Sequence, residues 1–169
     1  MLVFPFALFL AAAQPPAGPN LAAQRDAMKR LDWMPGKWTG EASVFRGPGE
    51  PIKILQTEEV QFKLDGLLLL VEGTGRDTSG KVLFHALATI AYDDQAKQYR
   101  FRSYNDGRYL DTELKVNDNG WEWGYPAGPG KVRFTMRLNG RDAWTETGEL
   151  VMGDNPPRKT MEMKVRRER

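Results

Sequence analysis

The chain has 169 residues, with 24 Lys and Arg against 22 Asp and Glu, for a net charge of +2. That length suits one domain with a sizeable core, and so even a charge balance gives no argument for nucleic acid as a partner. There is no cysteine, which excludes disulfides, thiol catalysis, thiolate-held metals and anchoring through a lipidated cysteine.

In chain order, Leu2 to Ala13 is apolar and ends in Ala11-Ala12-Ala13, the small-residue pattern of a secretory cleavage site. No Lys or Arg precedes it, and an apolar N-terminal strand or tail is the alternative. The run is too short for a stable membrane anchor. The expected organisation is a signal peptide over 1–13, a proline-rich linker over 14–20 and one domain over 21–169. The mature protein is then exported, periplasmic or extracellular.

Asn20 is suited to cap a helix, because its side-chain oxygen can accept an orphan backbone N–H. Leu21, Met28 and Leu31 share one helical face, which predicts an amphipathic helix of about eleven residues. Pro35 and Gly36 stop it. From there the apolar period changes from 3.6 to 2. Turn signals recur at short intervals, among them Gly47-Pro48-Gly49, Asp65-Gly66, Asn105-Asp106-Gly107 and Asn139-Gly140. Between them, Ile52, Ile54, Val60 and Phe62 share a strand face, as do Phe84, Ala86, Ala88 and Ile90. Phe134 and Met136 share another, and so do Met161, Met163 and Val165.

About ten antiparallel strands must hide two sheet edges, and closure into a barrel removes them. The expected fold is therefore all-β: an antiparallel up-and-down barrel with one short N-terminal helix. An open sandwich is the alternative.

The stretch Leu31 to Gly40 carries a G-x-W-x-G at the first strand, formed by Gly36, Trp38 and Gly40. With Leu31, Trp33 and Glu41, it resembles the opening of lipocalin-like (calycin) barrels. Within these it is most similar to a bacterial family of unknown function. Ala91-Tyr92-Asp93 followed by Tyr99, and the basic end Lys164 to Arg169, extend the resemblance over about residues 25–169. It implies that Trp38 plugs the closed end of the barrel, with Arg166 or Arg167 across it. The haem-binding nitrobindins have a similar opening but hold iron through a C-terminal histidine. This chain has Met161 and Met163 on its last strand and no histidine there, so no histidine-held haem is expected.

The expected lining of the barrel is Trp38, Phe101, Trp123, Phe134, Met136 and Met163. Mobile methionines among aromatics suit a loosely shaped apolar ligand; a filled core is the other reading. His85, the sole histidine, is a possible polar anchor, although it alternates with Leu83 and Leu87 against the apolar face. Arg102 and Tyr104 are further possible anchors, able to fork to a carboxylate. On that strand Tyr99, Phe101 and Ser103 form the more natural inward set. Glu58, Glu72 and Asp111 join His85 at a metal only if they converge. No metal spacing, phosphate loop or nucleophile motif occurs. No metal, cofactor or catalytic residue is expected.

The reading these features favour is an exported, non-catalytic barrel whose partner is a small hydrophobic molecule held inside. Two others stay open. One is a small-barrel lyase or isomerase using His85 with a nearby carboxylate. The other is a sealed barrel acting as a structural or interaction module.

Overall fold

A computed structural model describes residues 18–169. The expected signal peptide and most of the linker lie outside the described residues. Asn20 caps helix α1 (Leu21–Met28), its side-chain oxygen accepting from the Ala23 N–H at 3.0 Å. One 3-10 turn, Lys29–Leu31, completes the element. Met28 and Leu31 are buried, but Leu21 is exposed. The first turn is held by polar contacts instead: the Asn20 N–H and the Gln24 amide both donate to Asp94.

Ten strands follow: β1 (Gly36–Val44), β2 (Ile52–Lys63), β3 (Leu68–Arg76), β4 (Val82–Asp93), β5 (Gln98–Asn105), β6 (Arg108–Asn117), β7 (Gly120–Ala127), β8 (Gly130–Leu138), β9 (Ala143–Val151) and β10 (Arg158–Arg167). Each pairs antiparallel with the next, and β1 closes on β10 from Trp38↔Arg167 to Val44↔Met161. Closure explains Gly40. A Cβ there would sit 1.9 Å from the Lys164 carbonyl oxygen, so only glycine lets these two backbones meet.

The helix end of the barrel is sealed. Trp38, Leu69, Ile90, Leu114, Trp121, Met136, Trp144 and Val165 form a buried floor, and Met28, Leu31 and Met34 join the same core. The Trp38 indole N–H donates to the Met34 carbonyl at 2.9 Å, and its ring meets Trp144 edge-on at 6.2 Å. The barrel wall is not uniform. The β6–β7 ladder has three rungs, Lys115↔Glu122, Val116↔Trp121 and Asn117↔Gly120, whereas β7 and β8 pair over the whole of β7.

Among the described residues, no helix is long and apolar enough to cross a membrane.

Candidate functional site

The interior above the floor is built by the alternation of each strand. On β2 the inward set is Ile54, Gln56, Glu58 and Val60, all buried. Two of the four are polar. Burying them costs free energy unless each is hydrogen-bonded, and the Gln56 amide Nε2 donates to Glu58 Oε1 at 2.8 Å.

Their space comes from β3, where Gly75 and Gly73 are the register partners of Gln56 and Glu58. A Cβ on Gly73 would lie 2.9 Å from Glu58 Oε2, and one on Gly75 would lie 2.8 Å from Gln56 Oε1. The two glycines form a cradle for the polar pair. The missing side chains make room for an amide and a carboxyl.

Glu146 on β9 completes the polar group. It lies two residues beyond the buried Trp144, and its Oε1 accepts from the Trp123 indole N–H at 3.1 Å. Burial pushes the Glu58 carboxyl up to about 7; the Gln56 hydrogen bond opposes the shift and the Glu146 charge adds to it. Burial likewise raises Glu146 to about 6, against the indole N–H groups of Trp123 and Trp121. No lysine or arginine contributes to either shift. Near neutral pH the interior therefore holds two acids poised to gain or lose a proton.

Around this group the wall is apolar. Trp123 stacks on Phe134 with centroids 4.1 Å apart and planes 8° apart, and it leans on Phe101 at 4.5 Å. Phe101 and Met163 are buried in the same core. Of the six residues expected to line the interior, Phe101, Trp123, Phe134 and Met163 surround the polar group. Trp38 and Met136 are the cross-strand register partners of Glu58 and Glu146, so they flank the same group where it meets the sealed end.

The three expected polar anchors are corrected. His85, Arg102 and Tyr104 are exposed and lie on the outer face of the barrel. His85 Nε2 is 3.2 Å from Glu72, also outside. Arg102 and Arg100 both hold Asp111, which also accepts from the Tyr109 hydroxyl. The physical reason is the strict period of two: Phe84, Ala88 and Phe101 face in, so their immediate neighbours face water. Glu58, Glu72 and Asp111 accordingly do not converge, and no group of three or more metal-ligating side chains occurs among the described residues.

Gln56, Glu58 and Glu146 were not anticipated as a site. The signal was present for two of them, because they fall between Ile54 and Val60 on the apolar face of β2. Two polar residues in register on a buried face are a conflict that a site can explain.

A closed ten-strand antiparallel barrel, sealed at one end by tryptophans and lined by aromatics around a buried polar group, defines a small up-and-down barrel with a candidate site inside. The chain belongs to DUF1579, a family described as proteins of unknown function, whose model matches residues 24–167. No curated protein matches it. Solved structures are similar to it, and two of them have TM-scores of about 0.6. Rv2717c from M. tuberculosis is 13% identical, with 85% of this chain and 98% of that one covered and a TM-score of 0.63. The S-type phycobiliprotein lyase CPES from Guillardia theta is 8% identical, with 85% and 93% covered and a TM-score of 0.59. At these identities the likeness is one of fold.

Proposed function

We propose that this protein is an exported barrel that encloses a small, mostly apolar molecule above its tryptophan floor. The polar end of that molecule rests on Glu58, Gln56 and Glu146. The observation that carries this reading is the buried polar group itself. Stability alone gives no reason to hold two carboxyls in an apolar interior, where each raises the cost of folding once ionised. A ligand that donates hydrogen bonds to them offsets that cost, while the aromatic wall supplies affinity by apolar burial at roughly 25 cal/mol per Å². Export is supported by the apolar Leu2–Ala13 segment and its alanine end.

The test is native mass spectrometry of protein purified from its own host. A reproducible small-molecule adduct, lost in Phe101→Asp and weakened in Glu58→Ala, supports the reading. A bare protein mass, together with no binding of any apolar probe, supports the sealed barrel instead.

One observation favours a second reading. A carboxyl near 7 beside another near 6 meets the requirement for proton transfer at physiological pH. A lyase or isomerase in this barrel would therefore use Glu58 and Glu146, and not His85. Conversion of the co-purified molecule by wild type, but not by Glu58→Gln, separates the enzyme from the carrier.

A further inference from the structure

The wall of the barrel has a built slot. Beyond the Lys115↔Glu122 rung, β6 and β7 cease to pair. Two residues of β7 account for the parting. Gly124 lets β7 lean onto β8, since a Cβ there would lie 2.3 Å from the Val132 carbonyl oxygen. Pro126 has no N–H to give a ladder, which is why proline in a strand marks a free edge. What spans the gap is a side chain: the Thr112 hydroxyl donates to the Gly124 carbonyl at 2.9 Å. A cleft of about 320 Å³ occupies the opening, with Thr112, Trp123, Tyr125 and Val132 along it and the charged side chains of Glu113, Lys115, Glu122, Lys131 and Arg133 around its outer mouth.

We propose that this slot is a binding site for a small flat aromatic molecule, which wedges edge-first between β6 and β7. Three features set the class of ligand. The opening lies between two strands, so the occupant must be thin in one dimension. One wall carries two rings: Tyr125 leans on Trp123 at 6.4 Å with planes 32° apart, and a third planar partner adds favourable ring contacts, while charged groups of both signs at the mouth meet polar atoms on the ligand. Its edges are strand backbone outside the ladder, which offers N–H and C=O groups to polar atoms on the ring's rim. The volume is at the small end of ligand pockets. The site rests on the reading of the barrel as a container, because Trp123 is shared: its ring faces the slot, and its N–H holds Glu146 inside.

The probe is 1-naphthylamine, a flat fused ring with one polar group on its rim, titrated into the folded protein and read by its own emission. Wild type is expected to bind one equivalent. Thr112→Tyr fills the slot, and Tyr125→Ala removes an exposed wall that the fold does not need. Each is expected to weaken binding about tenfold, the scale of one lost aromatic contact, with the melting temperature of Tyr125→Ala unchanged. Wild-type affinity in both variants, or no binding to wild type, overturns the site. If Phe101→Asp abolishes probe binding while both slot variants keep it, the slot falls and the container reading stands. If all three variants keep it, both fall.

Discussion

The Arg167 guanidinium lies 4.1 Å from the centroid of the Trp38 ring and donates to the carbonyls of Pro35 and Trp33 at 2.5 Å each. The last strand thereby clamps the first strand and the chain that leads into it. Trp38→Ala removes a fully buried indole from this joint and is expected to cost about 3–5 kcal/mol. Arg167→Ala leaves two carbonyls without their donor and is expected to cost about 1–3 kcal/mol. Arg167→Lys is expected to recover little, because an ammonium cannot fork to both. Denaturant melts of the three variants check this; a loss below about 1 kcal/mol for Trp38→Ala means that the floor does not depend on it.

The interior carboxyls predict an unusual pH profile. Glu58 is raised from 4.5 to about 7 and Glu146 from 4.5 to about 6. Between 4.5 and these values the folded state binds more protons than the unfolded chain, so stability is full below 4.5 and falls as pH rises to about 7. The loss attributable to Glu58 is on the order of 3 kcal/mol. Asp77, Asp94 and Asp111 shift the other way, held low by hydrogen bonds, and weaken the fold at more acid pH. Glu58→Gln is expected to match wild type near pH 5 and to exceed it at pH 8. Urea melts at both values decide this, and equal slopes for wild type and variant would count against a buried, protonatable Glu58.

The glycine cradle predicts a coupling. Gly73→Ala puts a methyl 2.9 Å from Glu58 Oε2, which must swing aside, and the expected cost is about 1–3 kcal/mol. In a Glu58→Ala background the same methyl keeps only its contact with the Gln56 Nε2 at 3.2 Å and is expected to cost less. A double-mutant cycle measures the difference. Strict additivity would place the Glu58 carboxyl somewhere other than over Gly73.

His85 predicts an absence of effect. Its ring is 61% exposed beside Glu72 on the outer wall, so it cannot reach a group inside the barrel. Haemin added to wild type and to His85→Ala is expected to give the same Soret spectrum. A saturating one-to-one band that collapses in the variant would reverse that conclusion.

Much of this molecule was legible from residue order alone. Period-two alternation and recurring turn residues announce a closed antiparallel barrel, and Asn20 marks the start of its helix. The same alternation sorts Tyr99 and Phe101 from Arg100 and Arg102, because neighbouring side chains on a strand point to opposite faces. It also placed Gln56 and Glu58 on the inner face of β2, where attention to the apolar residues alone passed over them. Tertiary structure decided the rest. Glu146 meets the polar group only because β1 closes on β10, which brings β9 within three strands of β2, a distance in sequence that no local pattern spans. Arg167, and not Arg166, covers Trp38 because the β1–β10 register pairs Trp38 with Arg167. The slot between β6 and β7 opens because Gly124 lets β7 approach β8, a backbone contact that exists only once both strands are paired. Local chemistry determines which way each side chain faces, whereas the chain's closure on itself determines which side chains meet.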